Sequence, residues 1–112
     1  MAFEKICTLD DIWEGDMANF ETENGTEVLL VYPDGGSLKA FQNICPHQNF
    51  ELIEGTLDEN VLTCRAHLWQ FDVTTGQGVN PKDCALAIYP TKIDGDDVLI
   101  DVEGVVPLAS HT

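Results

Sequence analysis

Two of the three histidines in this chain stand beside cysteines. They form Cys45-Pro46-His47 and, after sixteen intervening residues, Cys64-Arg65-Ala66-His67. Thiolate and imidazole are side-chain donors that suit zinc and iron–sulfur centres. Four of them in two short segments describe one metal site once a hairpin brings the segments together. Tetrahedral zinc accepts the same Cys₂His₂ set, but structural zinc usually wants about two to four residues between paired ligands. Cys45 and His47 have only Pro46 between them. Each segment also offers one sulfur and one nitrogen, a division that suits two irons, one held by two Cys and the other by two His. A zinc site and a chance arrangement are the competing readings, and iron content separates them from the iron–sulfur one.

The elements that must position these segments read as short strands. Turn signals recur about every 8–12 residues, the pattern of an all-β sandwich or barrel. Strands are expected over 2–7, 16–22, 27–32, 37–42, 61–64, 69–73, 87–93 and 98–102, with one helical turn at Leu9-Asp10-Asp11-Ile12-Trp13. Asn24-Gly25 is a strong hairpin signal, and Pro33-Asp34-Gly35-Gly36, Thr74-Thr75-Gly76 and Asp94-Gly95-Asp96-Asp97 supply further turns. No segment keeps the i, i+3, i+4, i+7 stripe of a long helix. Three stretches fit strands poorly: 43–50, 65–68 and 77–84. The first holds Cys45 and His47, and the second, which begins directly after Cys64, holds His67. The third, with Gly78 and Pro81 and preceded by Gly76, reads as a tight loop leaning over the centre.

Length and charge narrow the function. A chain of 112 residues is the size of one domain. Its longest apolar run is Val28-Leu29-Leu30-Val31-Tyr32, far short of the roughly 20 residues a membrane span needs. The first residues lack the layout of a secretory signal, so a cytoplasmic location is expected, where four cysteines are better read as thiols than as disulfides. Twenty acids against five bases give a net charge of −15, which repels phosphate backbones and argues against a nucleic-acid partner. The acidity either steers the chain toward a basic protein face or serves solubility alone.

The stretches Phe3-Glu4-Lys5-Ile6-Cys7, Leu9-Asp10-Asp11-Ile12-Trp13, Cys45-Pro46-His47-Gln48 and Thr63-Cys64-Arg65-Ala66-His67-Leu68-Trp69 resemble the small Rieske ferredoxins of toluene and o-xylene monooxygenases. The resemblance spans nearly the whole chain. It implies one Rieske domain over 1–112, a β-sandwich or barrel whose cluster-binding loops, about 43–50 and 64–69, crown a small β subdomain under a covering loop at about 76–84. It implies one [2Fe–2S] cluster with Cys45 and Cys64 on the inner iron, and His47 and His67 on the outer iron through Nδ1. Gln48, Trp69 and Pro81 are expected around the cluster or at the docking face.

The same resemblance implies a monomeric electron carrier with no catalytic residues of its own. Its partners would be an NADH-dependent flavin and iron–sulfur reductase and a di-iron hydroxylase, with no nucleic acid and no membrane. A ferredoxin of an aromatic-ring dioxygenase and a non-redox Rieske-like subunit are the alternatives. The respiratory branch of the family ties its cluster loops with a disulfide and offers Ser and Tyr hydroxyls to the cluster. This chain has Phe50 and Ala66, and Trp69 and Phe71, at those places. Fewer hydrogen bonds to sulfur stabilise the reduced state less, so the expected potential is near the low end of the Rieske range, roughly −150 mV.

The remaining candidates have plain readings. Cys7 and Cys84 are expected as buried thiols, His111 as part of a solvated end, and Trp13 as a packing residue. Asp94-Gly95-Asp96-Asp97 lacks the rest of a calcium loop.

Overall fold

A computed structural model describes residues 3–33, 35, 37–46, 50–65, 68–80, 82 and 84–105. The described chain is built from short antiparallel strands: β1 (Glu4–Thr8), β2 (Met17–Glu21), β3 (Glu27–Val31), β4 (Lys39–Gln42), β5 (Thr56–Asp58), β6 (Val61–Thr63), β7 (Gln70–Asp72), β8 (Gly78–Asn80), β9 (Ile88–Tyr89), β10 (Thr91–Asp94) and β11 (Asp97–Ile100). Two 3-10 turns, Leu9–Asp11 and Leu52–Glu54, interrupt them. The strands form sheets in the orders β1-β11-β10, β2-β3-β4-β9 and β5-β6-β7-β8. The all-β expectation holds. Among the described residues no helix is long and apolar enough to cross a membrane.

The apolar run in β3 explains how the sheets stack. Successive side chains of a strand point to opposite faces, and here both faces are covered. Leu29 and Val31 enter a core with Phe41, Leu62, Phe71, Cys45 and Cys64. Val28 and Leu30 enter a second core with Cys7, Tyr89, Val98 and Ile100. The sheet β2-β3-β4-β9 is therefore a shared wall, with the cysteine-bearing sheet β5-β6-β7-β8 on one side and β1-β11-β10 on the other. A half-buried strand would have alternated; this one reads as a continuous hydrophobic stretch because it has no solvent face.

Several boundaries differ from the sequence-based expectation for identifiable reasons. The strand expected over 87–93 is two strands, because Pro90 has no N–H for the ladder. β9 pairs with β4, and after Pro90 the chain crosses to pair β10 with β11. The Asn24-Gly25 turn is present with Gly25 at φ 87°, but Glu21 pairs with Glu27, so the loop is longer than a two-residue hairpin. Strand β5 was not anticipated. Its hairpin to β6 turns on Glu59 and Asn60, both at positive φ (50° and 65°), and Glu is a poor signal for a position that favours Asn or Gly. Strand β8 lies inside the stretch expected to be loop. It is tied to β7 by main-chain pairing and to Cys84 by the Gly78 N–H donating to that residue's carbonyl at 2.8 Å, not by an alternating side-chain pattern.

Tyr89 is almost fully buried, and its hydroxyl has no hydrogen-bond partner among the described residues. Burial also pushes the Tyr89 pKa up. An unpaired buried hydroxyl costs about 1–3 kcal/mol, so Tyr89→Phe is expected to raise stability by about 1 kcal/mol. The change would be read as a higher urea midpoint with an unchanged slope. A lower midpoint would show that the hydroxyl is paired.

Candidate metal centre

Cys45 and Cys64 reach the same core from different sheets. Cys45 is the third residue after β4, and Cys64 directly follows β6. Both thiols are buried, at 3% and 0% exposure, among Leu29, Phe41, Leu62 and Phe71. Their backbones are held alike. The Cys45 N–H donates to the Phe50 carbonyl at 2.8 Å, and the Cys64 N–H donates to the Trp69 carbonyl at 2.7 Å. Each bond ties a cysteine to the residue five places on, so residues 45–50 and 64–69 have their ends fastened in the same way. Two buried sulfurs on two matched segments fit the sulfur half of a cluster site with two cysteines and two histidines.

His47, Gln48, His67 and Pro81 lie outside the described residues, as do Ala66 and His111. The described part of the expected ligand set is therefore the cysteine pair. Trp69 packs its side chain against the core that holds Cys45 and Cys64, and its carbonyl receives the Cys64 N–H. Leu68, next to His67 in sequence, is exposed and held at φ 56°. That region costs a non-glycine residue on the order of 1 kcal/mol. Phe50 is 41% exposed at the end of the first segment. Trp13, expected as a packing residue, is instead 76% exposed.

The other two cysteines divide between the cores. Cys7 lies on β1 in the core away from Cys45 and Cys64. Burial first, and the Asp11 carboxylate second, push its pKa up to about 11, so it stays a protonated thiol at neutral pH. Cys84 shares the core of Cys45 and Cys64. Around it, Gln77 is bridged to Ala85 and the Leu86 N–H donates to the Gly76 carbonyl at 2.8 Å. Gly76 sits at φ 81° with Ile88 close against it, which accounts for the glycine there.

Sequence reasoning did not single out Asn43, two residues before Cys45. It is buried, and its amide Nδ2 donates to Glu27 Oε2 and Glu51 Oε1, both at 3.3 Å. Its Oδ1 accepts the Ile53 N–H at 3.1 Å, and its carbonyl accepts the Leu52 N–H. One side chain thus fastens both ends of the Cys45 segment to β3 and to the turn Leu52–Glu54. The only hint in the sequence was an amide at a strand end.

Comparison with known proteins follows the same lines. Residues 2–90 match the Rieske [2Fe-2S] domain family. The chain is 46% identical, over 99 residues, to the ferredoxin component of an alkene monooxygenase system from Xanthobacter autotrophicus, covering 88% of this chain and 80% of that one. It is 40% identical, over 107 residues, to the ferredoxin component of a biphenyl 2,3-dioxygenase from Rhodococcus jostii, covering 95% and 98%. Among solved structures, the ferredoxin of carbazole 1,9a-dioxygenase from Nocardioides aromaticivorans superposes with a TM-score of 0.77 at 29% identity, covering 89% of this chain and 97% of that one.

The acid pair beside Asn43 yields a pH prediction. The Glu51 carboxyl is held above its ordinary pKa, chiefly by the Glu27 charge, then by burial, a hydrogen bond with Glu27 and the Glu54 charge, with Asn43 opposing. A carboxyl that binds its proton more tightly folded than unfolded costs stability as pH rises from its unfolded pKa, about 4.3, through its higher folded value. Glu51→Gln removes that cost. The variant is expected to match the native chain near pH 4 and to unfold at higher temperature than it near pH 7. Equal midpoints at pH 7 would contradict the repulsion.

Proposed function

Because the chain belongs to the Rieske [2Fe–2S] domain family and so carries one Rieske cluster, we propose that it is the soluble, cytoplasmic ferredoxin of a toluene-type aromatic monooxygenase. In this reading the whole of 1–112 is one Rieske unit. It takes electrons from an NADH-dependent flavin and iron–sulfur reductase and passes them singly to a di-iron hydroxylase. Cys45, His47, Cys64 and His67 are the proposed ligands. The observation that carries the reading is the matched pair of buried cysteines, each fastened to the carbonyl five residues on.

When bound, a Rieske cluster accepts and returns one electron at a potential set by its ligands and their hydrogen bonds. The chain's own residues supply the rest. Leu29, Phe41, Leu62 and Phe71 keep the cysteines dry, which lowers the local dielectric around any charge held there. Trp69 covers one side of that core. Leu68 and Phe50 are exposed on the two cysteine segments and suit transient apolar contact. The net charge of −15 suits electrostatic attraction to a basic docking face, and such steering raises encounter rates by about 10–10³. A carrier of this size docks with reductase and hydroxylase in turn.

A second reading, a ferredoxin serving an aromatic-ring dioxygenase, is favoured by the Rhodococcus relative, which matches over 95% of this chain. The two readings part on the acceptor. Reduced protein mixed with a di-iron hydroxylase and, separately, with a ring-hydroxylating dioxygenase is expected to reduce the first faster; the reverse order selects the second reading.

Three outcomes test the carrier itself. Purified protein is expected to hold iron and acid-labile sulfide with a potential roughly −150 mV, and a value above about +100 mV would contradict the low-potential assignment. His47→Ala and His67→Ala should each abolish the native visible spectrum, and an unchanged spectrum removes that residue from the ligand set. Hydroxylase reduction should slow as salt rises toward about 0.5 M, because screening shortens the reach of surface charge. A flat response would assign the acidity to solubility alone.

A further inference from the structure

Arg65 directly follows Cys64, and its Nη1 donates to Glu54 Oε1 at 3.0 Å. Glu54 ends the 3-10 turn Leu52–Glu54, which follows the other cysteine segment, 45–50. The Leu52 and Ile53 N–H groups donate to the carbonyl and Oδ1 of Asn43, so this turn moves with the residues leading into Cys45. A second contact joins the same places. Gly55, next to Glu54, lies so near the Thr63 carbonyl that a Cβ on it would overlap that oxygen. Thr63 and Arg65 are the two sequence neighbours of Cys64, and both rest on the dipeptide Glu54-Gly55. One contact needs the absence of a side chain, and the other needs two opposite charges.

We propose that Arg65, through its ion pair with Glu54, is a positioning residue that yokes the Cys64 segment to the Cys45 segment, with Gly55 allowing the close approach. The proposal rests on the reading that both cysteines ligate the cluster. The four cysteines form no disulfide, so none ties the two segments. The backbone bonds from Cys45 to Phe50 and from Cys64 to Trp69 each act within one segment. The Glu54-Gly55 contacts act between segments and fix the spacing on which two sulfurs bound to one iron depend. Both partners of the pair are about half exposed or more, at 65% for Arg65 and 47% for Glu54, so the yoke is modest in strength and sensitive to salt.

The test uses the cluster-bound chain and the variants Arg65→Gln, Glu54→Gln, both together, and the charge swap Arg65→Glu with Glu54→Arg. Loss of cluster absorbance to an iron chelator is followed in low salt and in 0.5 M NaCl, alongside the reduced-state electron paramagnetic resonance line widths. Each single variant is expected to lose the cluster about two- to five-fold faster in low salt and to show broader lines. The double glutamine variant should be no worse than either single one, the swap should restore the native rate and widths, and high salt should erase the differences. Native rates and widths in both single variants, or single effects that simply add in the double variant, overturn the yoke while leaving the cysteine ligands standing. Native protein without iron and labile sulfide would overturn the ligand reading, and the yoke with it. Gly55→Ala gives an independent check: faster cluster loss that the charge swap does not repair is expected, and an unchanged rate would remove Gly55 from the device.

Discussion

The constraint on which this molecule depends is convergence: two cysteines on different sheets must arrive at one dry point with their backbones already fixed. Cys45 approaches from β4 and Cys64 from β6, and each donates its N–H to the carbonyl five residues later. Those bonds satisfy two backbone donors that have left the sheet ladders, which buried backbone requires. If these cysteines are the ligands proposed above, the same bonds spare the site part of the entropy of ordering them. Leu29 and Phe41 from one sheet and Leu62 and Phe71 from another close the space around the thiols. Remove the wall between the sheets and the sulfurs have no common address.

Much of this was legible in the sequence because it depends on residue type at short range. The spacing of Cys45, His47, Cys64 and His67 names its chemistry without any fold, and the family match agrees with the cluster it implies. Turn residues placed most strands to within a residue or two. What escaped notice depends on main-chain geometry that side-chain types do not encode. The Glu59 and Asn60 turn adopts left-handed backbone with a glutamate in a glycine-like position. Strand β8 exists through backbone pairing with β7. Trp13, expected as a packing residue, stands 76% exposed, and nothing in its residue type signals that.

Asn43 and Gly55 show a subtler gap between sequence and site. Neither is a candidate for chemistry by type, and each is common in loops. Their importance comes from partners 8 to 16 residues distant: Asn43 reaches Glu51 and Ile53 on one side and Glu27 on the other, and Gly55 faces Thr63. Such residues act by holding others in place, and a ligand motif cannot reveal them. The surrounding acids have a cost as well. In a chain of twenty acids, Glu27 and Glu51 come close enough to repel, and the buried amide between them offsets part of that repulsion.

The double-sided burial of β3 divides the effects of substitution along it. Odd-numbered side chains, Leu29 and Val31, serve the redox half, while Val28 and Leu30 serve the half that only supports it. A substitution at Val28 or Leu30 therefore acts first on the supporting core, and one at Leu29 or Val31 on the core that holds the cysteines. Insertion of one residue into β3 would exchange the two sets at a stroke, so geometry fixes the length of this strand more tightly than the identity of any one residue in it.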